Sequence, residues 1–242
     1  TRLNFILGKY DEEVPKDNPW SNSDDYFYEE NNSDILLISF GSNGRDGKLI
    51  PSFNFHNLLK NNKSFDKLFL RDIDRNYYLT GLKNTTTNLK ETIDLIKKLS
   101  SVKNYKKIVS IGSSAGGFAA ILFGQLLNFS KVIAFNPQTV ISEEKELIIN
   151  DFFYTVDICK KLRNLNPTDT LYQKCLNLKN LVPFKTKVDI HFSNLSEVDK
   201  NHANFIKHKN CKLIKYESSS HLLALQLREN EKLKDIIEES LL

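Results

Sequence analysis

Lys107-Ile108-Val109-Ser110-Ile111-Gly112-Ser113-Ser114-Ala115-Gly116-Gly117, followed by the apolar run Phe118 to Leu127, reads as a strand, a tight turn and a helix in immediate succession. The β-branched residues Ile108, Val109 and Ile111 favour the strand. The glycines let the chain reverse at once into a helix, and that helix is rich in Ala, Phe and Leu. Gly112-x-Ser114-x-Gly116 fits a nucleophile-elbow pattern, in which the central serine is pushed into an exposed, strained position. The helix start would place unpaired N–H groups and positive dipole beside that serine. The competing reading is a Gly-Ser turn opening an ordinary βα unit, or a phosphate-holding loop; no Lys-Ser/Thr pair follows, which excludes a P-loop.

Outward from this stretch, apolar runs alternate with helical patterns, as in a sheet of parallel strands with crossover helices. Ile35 to Phe40 reads as a buried strand ending at Gly41-Ser42-Asn43-Gly44, and Lys67 to Leu70 as a second ending at Arg71-Asp72. Leu89, Ile93, Ile96 and Leu99 have the spacing of an amphipathic helix, preceded by Asn and Thr residues able to cap it. Val132 to Phe135, Val188 to Phe192 and Leu213 to Tyr216 are further strands, and one helix is expected from Leu222 to about Glu239. Between Ser142 and Val182 the pattern is irregular and helical, with Phe152, Phe153, Tyr154, Cys159 and Cys175. The expectation is one α/β domain over 1–242, with a mostly parallel central sheet, helices on both faces and residues 142–182 as a helical, cap-like insertion.

A serine hydroxyl needs a hydrogen-bonded base to act as a nucleophile near neutral pH. Elimination points to His221: His56 precedes the serine, His191 falls mid-strand, and His202 and His208 fall on the helix expected after the sixth or seventh strand. His221 alone lies between the last strand and the last helix, where this chain order places a base; its plainer reading is a polar residue at a helix start. The acid belongs in Ser193 to Lys200, where Asp199 is the first choice and Glu197 the reserve; Asp199 reads equally as a helix N-cap. Ala115 N–H, and Ser42 N–H from the loop after the first strand, are the expected oxyanion donors. Asn43 and Arg71 are candidate substrate-lining residues; the segment Ser142 to Val182 and the aromatics Tyr26-Phe27-Tyr28 are further candidates, although aromatics are more often core.

Composition narrows the classes. Among 242 residues, 34 Lys and Arg nearly balance 30 Asp and Glu, and the basic residues form no stripe, so nucleic acid is not an expected partner. Cys159, Cys175 and Cys211 are widely spaced with no C-x-x-C pair, which argues against a disulfide framework and a zinc site. No metal is expected. The short apolar run before Lys9 and Asp11 is too brief for a secretory core, and no stretch approaches membrane-spanning length, so the expected location is the cytoplasm.

Gly112-Ser113-Ser114-Ala115-Gly116-Gly117, with Asp199 and His221 in order behind it, resembles the α/β-hydrolase superfamily over residues 30–242. Phe40-Gly41-Ser42-Asn43, Leu70-Arg71-Asp72 and Asn76-Tyr77-Tyr78-Leu79-Thr80-Gly81 look like the serine-triad, polysialic acid O-acetyltransferase-like proteins of bacterial surface-polysaccharide clusters. The chain departs from lipase-type relatives in lacking a His-Gly-Gly loop. The resemblance implies acyl transfer through an acyl-enzyme, with acetyl-CoA as donor, a glycan hydroxyl as acceptor and no permanently bound cofactor. A carbohydrate esterase acting on an O-acyl ester is the alternative, and a non-catalytic binding protein of the same fold a further one.

Overall fold

The computed structural model describes residues 25–44, 50–142 and 156–241. Seven strands form one sheet: β1 (Tyr26–Glu29), β2 (Ile35–Phe40), β3 (Asp66–Leu70), β4 (Lys107–Ser113), β5 (Lys131–Phe135), β6 (Lys187–Ser193) and β7 (Cys211–Tyr216). Their spatial order is β1-β3-β2-β4-β5-β6-β7. All neighbours are parallel except β1, which runs antiparallel to β3. The helices are α1 (His56–Leu59), α2 (Leu89–Leu99), α3 (Ala115–Leu126), α4 (Val156–Leu165), α5 (Thr170–Cys175), α6 (Glu197–Phe205), α7 (Leu223–Glu229) and α8 (Lys232–Leu241).

The central strands are buried on both faces, which is why β2 reads as an unbroken apolar run. Its side chains alternate between two cores: Leu36, Ile38 and Phe40 join the layer of α2 and α3, whereas Leu37 joins Val109, Ile111, Ile133 and Phe135 under α7 and α8. Helices therefore cover both faces, as expected. Helix α2 matches its expected span; Asn88 Oδ1 accepts from Glu91 N–H at 2.9 Å, and the Glu91 carboxylate accepts from Thr87 N–H at 2.8 Å. Each bond satisfies a donor that the helix leaves open. In the expected insertion, Leu162, Tyr172, Cys175, Leu176 and Leu178 are buried in the same core as α3; Phe152, Phe153 and Tyr154 lie outside the described residues.

Three expectations are corrected. Tyr26-Phe27-Tyr28 is an edge strand rather than a lining: Phe27 is buried and stacks on Phe69 at 4.8 Å, and Tyr28 Oη donates to Asp66 Oδ2 at 2.9 Å. The facing pair Glu29 and the fully buried Lys67 form an ion pair at 2.7 Å, fastening this edge. The helix after β6 starts earlier than expected because Ser196, not Asp199, is its N-cap. The last helix is two, α7 and α8, separated at Asn230-Glu231, where Glu231 has φ 60°. That break turns Leu233, Ile237 and Leu241 into the second core.

Among the described residues no helix is long and apolar enough to cross a membrane. The buried imidazole of His191 on β6 stacks on Phe135 at 4.8 Å, and its Nδ1 meets Tyr216 Oη at 2.9 Å. Burial pushes its pKa down from 6.5 to about 4. The unfolded chain takes up a proton as pH falls through 6.5 while the folded chain does not until about 4, so the stability this group contributes is present above 6.5 and lost between those values. Thermal melts across that window should show the wild type losing up to about 3 kcal/mol more than His191→Phe; equal pH slopes would contradict a neutral buried His191.

Candidate active site

The order of the strands reverses between β2 and β4, and in open α/β sheets the crevice beyond the carboxyl ends of the strands at such a switch is where ligands bind. The turn after β4 lies there. Ser114 is the N-cap of α3 with φ 54° and ψ −118°, outside the ordinary regions for a residue bearing a Cβ. Its N–H donates to Phe135 O at 2.9 Å, and its carbonyl accepts from Phe118 N–H at 3.0 Å and Gln138 N–H at 3.2 Å, so the strained backbone is held on every side. Two glycines make this possible. A Cβ on Gly112 would lie 2.0 Å from Gly116 O, and one on Gly116 would lie 2.3 Å from Phe40 O.

His221 follows β7, and its Nε2 is 2.9 Å from Ser114 Oγ. Its Nδ1 is 2.7 Å from Asp199 Oδ1. With a neutral imidazole carrying its proton on Nδ1, Ser114 O–H donates to Nε2 and Nδ1–H donates to the carboxylate, the polarity a general base needs. Asp199 occupies the first turn of α6 and is 1% exposed, whereas the His221 side chain is 33% exposed. Asp199 Oδ2 is buried with no hydrogen-bond partner among the described residues, so His221 is the carboxylate's principal compensation there. Glu197 opens the same first turn of α6 and is exposed.

Of the expected oxyanion donors, Ala115 N–H opens α3 and has no acceptor within the helix. Ser42 differs from expectation, because its N–H already donates to Asn54 Oδ1 at 2.8 Å. The peptide that carries it is pinned from its other end as well, since Tyr78 Oη donates to Gly41 O at 2.9 Å. Asp72 Oδ2 in turn accepts Tyr78 N–H at 2.8 Å, holding Tyr78 at φ 62°. Burial raises the Asp72 carboxyl to about 6. Arg71 is committed to packing: it is 5% exposed, lies over the Phe53 ring at 4.2 Å and donates to Pro51 O at 3.3 Å, while the backbone of Asn43 is held by Arg75 Nε, which donates to Asn43 O at 2.7 Å.

His202, set aside for its helical place, is fully buried and accepts from Thr139 N–H through Nδ1 at 3.1 Å. Asn54, Tyr78 and Asn136 escaped the sequence reading. A polar residue followed by proline at the end of a buried strand, Phe135-Asn136-Pro137, was the signal available for Asn136. Among the described residues, no three His, Cys, Asp or Glu side chains gather as metal ligands.

The sheet order and the turn after β4 define an α/β-hydrolase-like fold. No family model and no curated protein matches the sequence. Solved structures do share its fold. The capsule O-acetyltransferase of Neisseria meningitidis serogroup A is 17% identical over 90% of this chain and 96% of that chain, with a TM-score of 0.61. A histidine-to-alanine mutant of that enzyme, in complex with CoA, is 17% identical over 88% and 92%, with a TM-score of 0.58. Est1E from Butyrivibrio proteoclasticus, with ferulic acid bound, is 14% identical over 88% and 94%, with a TM-score of 0.52.

Gly116→Ala should displace the turn from Phe40 O and cost about 3 kcal/mol, the upper end of ordinary overpacking. Chemical denaturation measures it; a loss below about 1 kcal/mol would show that the close approach is not required.

Proposed function

We propose that the protein transfers acyl groups through a covalent intermediate on Ser114, with acetyl-CoA as donor and a hydroxyl of a bacterial surface or capsular glycan, such as a sialic acid polymer, as acceptor. The observation that carries this reading is the unbroken line from Ser114 Oγ through His221 to Asp199, with contacts of 2.9 and 2.7 Å. Ser114 Oγ attacks the thioester carbonyl as His221 Nε2 takes its proton. The oxyanion that forms is held by Ala115 N–H and by Ser42 N–H, which exchanges Asn54 Oδ1 for it. Collapse expels the thiolate, which receives the proton from His221. The acceptor hydroxyl then gives its proton to His221 and attacks the acyl carbonyl; collapse breaks the bond to Ser114 Oγ, which takes the proton back from His221. Asp199 stabilises the imidazolium at both steps without taking its proton. The choice of donor and acceptor is supported by the fold shared with the capsule O-acetyltransferase and by the sequence resemblance to polysaccharide-cluster proteins.

Hydrolysis of an O-acyl ester is the second reading, favoured by one observation: a third of the His221 side chain is exposed, so water reaches the base. Both readings use the same three residues, and the cytoplasm, where acetyl-CoA is made, suits the first.

Intact-mass analysis after fluorophosphonate treatment should give one adduct, mapping to Ser114, because the reagent needs an activated serine. Incubation with acetyl-CoA and capsular oligosaccharides should then give acetylated sugar; release of acetate alone selects the esterase. Ser114→Ala should lower either rate by at least about 1000-fold while leaving the melt unchanged. Retained turnover in that variant would remove Ser114 from the mechanism.

A further inference from the structure

The bonds that define the imidazole's working position cannot by themselves hold it there, since Nε2 releases Ser114 during the reaction and a third of the side chain is exposed. The restraint has to come through the backbone of the loop that carries His221. That loop, Ser218 to His221, is largely exposed apart from Ser218, and two buried side chains, Asn136 and Ser193, reach it from inside the sheet.

We propose that Asn136 is the positioning residue for His221, acting through the carbonyls of Ser220 and His221. The proposal rests on the assignment of Ser114, His221 and Asp199 as a working triad. Asn136 directly follows β5, which lies between the strand that leads to Ser114 and the strand that leads to Asp199. It is fully buried with φ 39°, a left-handed conformation that asparagine tolerates better than most residues. Its two Nδ2 hydrogens face His221 O at 3.0 Å and Ser220 O at 3.1 Å, with Ser193 Oγ at 3.1 Å sharing the same nitrogen. Its Oδ1 accepts Ser193 N–H at 2.8 Å, and its own N–H donates to His191 O at 2.8 Å. Ser193 Oγ passes the restraint on, donating to Ser220 O at 2.6 Å. The carbonyl just before Asn136, that of Phe135, accepts Ser114 N–H. One side chain thus ties the base loop to the end of the acid's strand, one peptide away from the nucleophile's own anchor. A side chain that merely filled space would not need to offer two N–H groups to the base loop and a carbonyl to β6.

The test compares the full-length wild type with Asn136→Ala, Asn136→Asp and Ser193→Ala, using 4-nitrophenyl acetate and a fluorophosphonate as probes. Asn136→Asp keeps the acceptor for Ser193 N–H but turns a carboxylate toward two carbonyls. Both Asn136 variants should lose about 100-fold in kcat with KM nearly unchanged, the penalty of a base misplaced by about an ångström. Ser193→Ala should lose about tenfold. In Asn136→Asp the acid limb of the pH–rate profile should also move to higher pH, because a new negative charge favours the imidazolium. The low-field proton resonance of His221 Nδ1–H, held by Asp199, should be present in the wild type and lost in Asn136→Ala. Folded Asn136 variants with wild-type kcat, pH limb and resonance would overturn the proposal. If they do not fold, an unchanged kcat in Ser193→Ala overturns it. An inert wild type would count against the triad instead, and the resonance, which needs no turnover, then decides the positioning role.

Discussion

The close approach of Gly116 to the carbonyl of Phe40, with Gly112 folded against Gly116, is the constraint on which the site depends. It brings the start of α3 directly against the end of β2, so that the turn after β4 and the loop Gly41 to Gly44 share one small volume at the reversal of strand order. Only residues without a Cβ allow that approach. The strain at Ser114, of order 1–3 kcal/mol, is sustained because its N–H and carbonyl are each bonded to neighbouring segments that the sheet itself holds in place.

Around that point each chemical group is delivered by a different strand. Ser114 follows β4, Asp199 β6 and His221 β7, and the loop Gly41 to Gly44 follows β2. The division between cores matters here: α3 is packed in the first and α7, which follows His221, in the second, so serine and histidine approach each other from helices on opposite faces of the sheet. Asp199 is shielded and His221 is not. The carboxylate is buried with one oxygen unbonded, while a third of the His221 side chain is open to solvent.

Much of the architecture was legible because the central parallel strands are mostly apolar and an amphipathic helix such as Leu89 to Leu99 carries its period openly. The hydrogen-bonded line of Ser114, His221 and Asp199 followed from chain order combined with a turn pattern. What remained hidden was of two kinds. Local capping competed in ways a single sequence does not rank: Ser196 and Asp199 are both good caps, and Ser196 took the role, freeing Asp199 for His221. Long-range polar bonds leave no periodic trace, so Asn54 on Ser42, Tyr78 on Gly41 and Asn136 on the histidine loop were invisible. The edge strand Tyr26–Glu29 was missed because its aromatics read equally as surface, and its pairing with β3 depends on Lys67 being neutralised by Glu29 from across the ladder.

His221 follows the last strand of the sheet. Among the described residues β7 pairs on one side only, with β6, and no residue along it is fully buried. An outermost strand of this kind opens at lower free energy than the central ladder. Fraying there would carry His221 away from Ser114 while β2, β4 and β5 stayed intact. On warming, the chain would lose its chemistry as a local event at one rim, ahead of the cooperative melting of its interior.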